Sequence, residues 1–181
     1  MYSVEALHNH LAKGSQGKYL FFWGHQNKSG AVTKSCFSQW YDSRFEEDGI
    51  IYPTAEHYMM AEKARLFGDT EALQKIIGAT NPGEAKALGR TVQNFDQDVW
   101  IKHRFEIVVR GNTLKFRDPA LQELLLNTGD HILVEASPVD RIWGVGLGQD
   151  DGSIANPYRW KGSNLLGFAL MKVRDQFRYA L

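Results

Sequence analysis

Residues 54–67 bring a carboxylate and an amine onto one face of an expected helix. Pro53 stops the preceding strand, Thr54 is a good N-cap, and residues 55–67 run without Gly or Pro until Gly68. At about 100° per residue, Glu56, Met60, Lys63 and Phe67 fall in one narrow stripe, with Tyr58, Glu62 and Arg65 opposite. Glu56 and Lys63 are seven residues apart, about 10 Å along the axis. That is too far for an i,i+4 surface ion pair, yet flexible side chains could converge on a ligand between them. The other reading has Lys63 snorkelling and Glu56 complementing the helix N-terminus. Periodicity alone leaves both open.

Two more clusters could bind a ligand. Ser137-Pro138-Val139-Asp140-Arg141-Ile142-Trp143-Gly144-Val145-Gly146 sets an acid on a turn and a Trp directly before Gly-x-Gly. Glycines let backbone N–H groups approach a ligand, and a Trp face can stack on a base or sugar. A structural turn with its Trp in the core needs the same residues. Gly162-Ser163-Asn164-Leu165-Leu166-Gly167 opens the last helix, and free N–H groups behind a Ser163 or Asn164 cap would make an anion-binding end. Arg159, Lys161, Lys172, Arg174 and Arg178 against Asp175 make that end locally basic, which suits a solvated helix face equally well.

Other chemistries drop out. Gly144-Val145-Gly146-Leu147-Gly148 has its third Gly one residue early for a dinucleotide turn and runs on into a Gln-Asp-Asp-Gly loop. Gly14-Ser15-Gln16-Gly17-Lys18 lacks Walker A spacing, and there is no Gly-x-Ser-x-Gly elbow or His-Glu-x-x-His. The six histidines are scattered, and the single cysteine, Cys36, can form neither an intramolecular disulfide nor a Cys-based zinc site. Neither a metal nor another cofactor is expected.

The elements that must position these groups follow from punctuation. A short helix over 3–13 ends at Gly14, and Tyr19-Leu20-Phe21-Phe22-Trp23 reads as a strand stopped by Gly24. Residues 24–35 read as loop, with strand-like pieces near 37–41 and 50–52 split by the acidic turn Glu46-Glu47-Asp48-Gly49. After the helix from Thr54, Asp69 caps a second to about Ile77, and Asn81-Pro82 opens a third. Asp96 caps a long helix over 97–116 in which Gly111-Asn112 marks a bend, and Asp118-Pro119 starts another that closes at Gly129. His131–Ala136 is a strand, 137–161 loop and Asn164–Tyr179 a terminal helix. The expected fold is mainly α with a small antiparallel sheet.

Composition agrees with one such domain. The 181 residues can bury roughly 70% of the surface of the unfolded chain. At 43% hydrophobic and 23% charged, disorder is excluded. Lys+Arg and Asp+Glu both number 21, so overall charge does not drive binding to nucleic acid or membranes. No signal peptide and no apolar run of about 18 residues is present, and the Asn27-Lys28-Ser29 sequon has no secretory context. A cytoplasmic protein is expected.

Five segments in order resemble the NADAR family. They are Phe37-Ser38-Gln39-Trp40, Tyr52-Pro53-Thr54-Ala55-Glu56-His57-Tyr58 with Ala61 and Lys63, Lys86-Ala87-Leu88-Gly89-Arg90, Ser137–Gly146 and Gly162–Gly167. The resemblance runs from about Tyr19 to Phe177, so 1–18 is expected as an N-terminal extension and 19–181 as the domain. The insert 149–161 departs from the shortest members, which pass almost directly from Gly-x-Gly to the last motif.

The resemblance implies a single helical domain that cleaves the N-glycosidic bond at C1 of a phosphorylated ribose. Two substrate classes are associated with it: ribosylaminopyrimidine phosphates of riboflavin synthesis, and ADP-ribose on guanine bases, including those of DNA. It further implies that Lys63 forms a covalent adduct with C1 and that Glu56 and Asp140 handle protons. Phe22, Trp23, Gly24, Arg90, Trp143, Gly144, Gly146, Tyr158 and Asn164 are expected to bind substrate. A Schiff base on lysine, hydrolysed by water, fits these residue types. The insert adds Asn156, Tyr158, Arg159 and Trp160, which suit a second phosphate or adenosine and tip the expectation towards ADP-ribosyl guanine; a surface loop without consequence is the alternative. A module that binds ADP-ribose without cleaving it would need only Trp143, the Gly-x-Gly and the basic last helix; the Glu56–Lys63 pair discriminates against it.

Overall fold

The computed structural model describes residues 1–26 and 31–179, so the Asn27-Lys28-Ser29 sequon lies outside the described residues. In chain order the elements are α1 (Val4–Ala12), β1 (Tyr19–Phe22), a 3-10 turn (Lys34–Phe37), β2 (Phe45–Glu47), β3 (Ile50–Tyr52), α2 (Ala55–Leu66), α3 (Thr70–Ile77), α4 (Pro82–Gly89), α5 (Gln97–Lys115), α6 (Pro119–Asn127), β4 (Ile132–Glu135), a second 3-10 turn (Pro157–Arg159) and α7 (Leu165–Tyr179). The fold is mainly α with a small antiparallel sheet, β2–β3, to which the structure adds a parallel pair, β1–β4. Two compact units are present: Met1–Ser38 with Asp118–Leu181, and Gln39–Arg117. No helix among the described residues is long and apolar enough to cross a membrane.

In the unit Gln39–Arg117, the β2–β3 hairpin corrects the expected strand positions. Residues 34–37 form a 3-10 turn capped by Thr33, and Glu46-Glu47, read as turn, belong to the strand. The cause is Asp48-Gly49: both sit at positive φ (52° and 78°), as a two-residue hairpin turn requires, so Glu47 pairs directly with Ile50. Thr54, extended at φ −143°, caps α2 by accepting from the His57 amide. At the other end the Asp69 amide bonds the Ala64 carbonyl and Gly68, at φ +70°, bonds that of Arg65, which is a Schellman stop.

Helix α2 is surrounded by α3, α4 and α5, and Tyr58, expected on its outer face, is fully buried. Its hydroxyl donates to Glu47 Oε2 at 2.9 Å, while Arg110 Nε donates to Oε1 of the same carboxylate at 2.8 Å. Helix α5 runs on through Gly111-Asn112. Gly111 is there for contact, since a Cβ would stand 2.5 Å from the Tyr58 ring.

His57 is 1% exposed. Its Nε2–H donates to the Ala79 carbonyl at 3.2 Å and its Nδ1 accepts from the Thr54 hydroxyl at 2.8 Å. Burial holds its pKa below the usual histidine value. The folded state therefore binds this proton less readily than the unfolded state, and stability is lost as pH falls through about 6.5. Unfolding midpoints measured from pH 7.5 to 5 should fall less steeply for His57→Gln, which has no such proton to take up, than for the wild type.

In the other unit, β1 and β4 pair from Tyr19↔Ile132 to Phe22↔Glu135. Alternate residues of β4 turn their backbone groups to its opposite edge. There the Asn164 side chain accepts from the Glu135 amide (3.0 Å) and donates to the Leu133 carbonyl (2.9 Å), while the Val145 amide donates to Glu135 O (3.0 Å). The second edge of this two-stranded sheet is thus covered. Helix α7 packs on β4 and on α6, and Arg174, 3% exposed, donates to Thr128 Oγ1 and the His131 carbonyl, both at 2.8 Å.

Candidate functional site

The stripe on α2 carries its groups inward. Glu56, in the first turn, is 2% exposed and Met60 7%, with Lys63 and Phe67 half-buried. The Lys63 amine donates to the Gly89 carbonyl at 2.7 Å. It also lies 4.3 Å from the centroid of the Phe95 ring and 5.7 Å from that of Trp100. Gly89 is packed against Met60 of the same stripe, whose side chain a Cβ at position 89 would displace. Burial pushes the Lys63 amine below the ordinary lysine pKa, which enlarges its neutral, nucleophilic fraction. Arg90, the C-cap of α4, is exposed.

Gly89, Phe95 and Trp100 are not marked as site residues by the sequence. The available signal was Asn94-Phe95-Asp96, where Asn94 takes φ +56° and Asp96 caps α5, fixing an aromatic between two constrained residues. Phe95 stays 42% exposed although it meets Phe67 edge-on at 5.2 Å.

In the unit containing Met1–Ser38, Asp140 Oδ1 accepts the amides of Ile142 (2.8 Å) and Trp143 (2.7 Å). That fixes the carboxyl on its turn. Two amides of the Gly-x-Gly are taken by the chain itself, against expectation: Gly146 N–H goes to the Asp140 carbonyl and Val145 N–H to that of Glu135. Gly146, at φ +69°, and Gly144, where a Cβ would stand 3.0 Å from Glu135 O, serve the loop's own shape. The expected anion-binding end of the last helix is likewise closed. Amides 163 to 166 donate to the carbonyls of Arg141, Gly144, Ile142 and Trp143. Asn164, fully buried, gives its side chain to β4.

Phe22 is a core residue, edge-on to Phe37 at 5.5 Å. Trp23 is 60% exposed, Gly24 is exposed at φ +81°, and Trp143 is half-buried. Tyr158 points elsewhere: it stacks on His8 of α1 with centroids 4.3 Å apart, and Trp160 meets Tyr19 edge-on at 6.3 Å. Among the described residues no three His, Cys, Asp or Glu side chains are grouped as metal ligands.

The family model described as the NADAR domain matches residues 21–178. The chain belongs to the NADAR family. An N-glycosidase of Acanthamoeba polyphaga mimivirus is 44% identical to the NADAR chain over 165 residues, spanning 88% of this chain and 96% of that protein. The chloroplastic riboflavin biosynthesis protein PYRR of Zea mays is 35% identical over 137 residues, 71% of this chain and 20% of that protein. The NMR structure of the Escherichia coli protein YbiA superposes with a TM-score of 0.73 at 26% identity, covering 92% of this chain and 88% of that one.

The geometry around Lys63 in the NADAR domain predicts a pH effect. Removing the Phe95 ring forfeits an attraction to the ammonium of about 0.5–1 kcal/mol but rehydrates the amine, the larger effect here because burial is what lowers its pKa. In Phe95→Ala the lysine should titrate nearer its ordinary value. NMR titration of isotope-labelled lysine checks this.

Proposed function

We propose that the chain hydrolyses the C1–N bond between a phosphorylated ribose and a base, with ADP-ribose on guanine in DNA as its substrate. Its enzyme class, a hydrolase acting on N-glycosyl compounds, is that of its named N-glycosidase relatives. One observation carries the mechanism: the Lys63 amine is half-buried between two aromatic rings and held by a carbonyl, so burial raises its neutral fraction.

Neutral Lys63 attacks C1 as the glycosidic bond breaks, and the bonding pair leaves with the base nitrogen. That nitrogen takes a proton from the Glu56 carboxyl. In the Lys63–C1 adduct the ring oxygen then leaves C1 and takes a proton from the lysine nitrogen, giving an iminium. This adds water, which returns a proton to Glu56, and release of the amine frees the aldehyde, which recloses as the ribosyl product. The sum is hydrolysis, with lysine and glutamate restored. Asp140, its Oδ1 held by two amides, is the other carboxyl of the proposal.

A second reading, cleavage of ribosylaminopyrimidine phosphates, has its own support in the riboflavin biosynthesis relative. Turnover on both substrates, side by side and with and without chelator, tests the proposal. Faster release of guanine than of the aminopyrimidine is expected, unchanged by chelation. The reverse order would give the substrate to the second reading, release of neither base would sink the enzyme, and loss of activity on chelation would sink the metal-free mechanism.

A further inference from the structure

The unit containing Met1–Ser38 has a hollow of about 580 Å³ lined by Trp23, Pro138, Gly148, Gln149, Asp150 and Asp151. This is the size of a small-molecule site, typically about 300–1,000 Å³. Its lining contains two carboxylates and, among the described residues, no cation. A phosphate is therefore repelled and a group rich in N–H donors attracted. Trp23, 60% exposed, offers an indole face with open solvent beside it.

The two acids are not equivalent. Asp151 Oδ1 already accepts from the Ser153 amide (2.9 Å) and hydroxyl (2.6 Å). Asp150 is exposed, as is Gln149, and both present acceptors to an incoming ligand. Gly148 keeps the wall thin: a Cβ there would stand 2.7 Å from Asp150 Oδ1.

We propose that this hollow binds an amino-bearing nucleobase, its ring stacked on Trp23 and its N–H groups donating to Asp150. Such a base has the two features that the lining matches, a flat π face and edge donors. Of the two ligands expected for the insert 149–161, a second phosphate or adenosine, the inference keeps only a base, and it moves the contact from Asn156, Tyr158, Arg159 and Trp160 to Gln149 and Asp150. It rests on the N-glycosidase reading only for the source of the base, which is either the adenine of an ADP-ribosyl group or the base that leaves.

Calorimetric titration of the full chain with AMP, GMP and ribose 5-phosphate tests it. At least one nucleotide should bind ten-fold or more tightly than ribose 5-phosphate. Preference for AMP assigns the hollow to adenine, and preference for GMP to the leaving base. Trp23→Ala and Asp150→Lys should each cut the nucleotide advantage at least five-fold, and Trp23→Phe should restore most of it. Both positions are exposed, so unfolding midpoints should stay near wild type. Equal binding of all three probes, no binding of either nucleotide, or an advantage that survives both variants would overturn the proposal. Turnover without base preference would leave the enzyme reading standing and remove this one; base preference without turnover would do the reverse.

Discussion

Lys63→Arg should abolish turnover while leaving the fold and product binding intact. The guanidinium keeps the positive charge and can still donate to the Gly89 carbonyl, and its stem is as long and apolar as that of lysine. It is effectively never deprotonated, so it cannot attack C1. A fall in kcat of at least about 10³-fold is expected. Borohydride added to the wild type during turnover should reduce the iminium to a stable amine, and the peptide that gains the ribosyl mass should contain Lys63. An active, adduct-free Arg variant would reduce Lys63 to an electrostatic contact and return catalysis to Glu56 and Asp140.

Gly167→Ala should cause the largest loss of stability. A Cβ at this position would lie 2.1 Å from the Leu133 carbonyl and within 2.7 Å of the Asn164 amide. Neither neighbour can yield cheaply: one is backbone of β4, and the other is the side chain that bonds Leu133 O and Glu135 N. Helix α7 must therefore move off β4, at a cost of about 3 kcal/mol or more. For a chain of this length that lowers the unfolding midpoint by roughly 10 °C. Thermal unfolding followed by circular dichroism checks it, and a midpoint within 2–3 °C of wild type, roughly 1 kcal/mol, would show that the helix–strand contact is looser than the geometry gives.

Local punctuation made most helices legible. Asp69, Asn81, Asp96 and Asp118 each cap the helix that follows, as their side-chain chemistry dictates. Periodicity put Glu56, Met60 and Lys63 on one face of α2, because 3.6 residues per turn is a local property, but not the burial of the opposite face at Tyr58, which depends on packing. What surrounds Lys63 could not be read this way either. Gly89 and Phe95 lie 26 and 32 residues away in the chain, and only tertiary packing brings them to the amine. The glycines of residues 144–146 show the opposite failure. Their freedom was read as openness to a ligand, whereas β4 takes the Val145 amide and the Asp140 carbonyl takes that of Gly146. Composition reports that a backbone can bend, not what it bends towards. The hairpin was displaced for a similar reason: Asp48-Gly49 alone makes the turn, so the acidic residues before it are free to be strand.

The bond from the Lys161 amide to the Val145 carbonyl, at 2.9 Å, has a consequence for how this protein can change. It pinches the chain closed at the base of the long excursion 149–161, so that segment leaves and returns at nearly one point, in the manner of an Ω-loop. Closing a loop of this kind costs only about 0.6 kcal/mol more for each doubling of its length. Below the pinch, Asp140, Trp143 and Gly144 are held by bonds to residues 135–142 and 163–166. Residues can be added or removed above it without reshaping the turn that holds the carboxyl. The clasp thus separates two parts of the chain: a turn over 137–146 fixed by its own bonds, and a loop above it whose length that turn does not depend on.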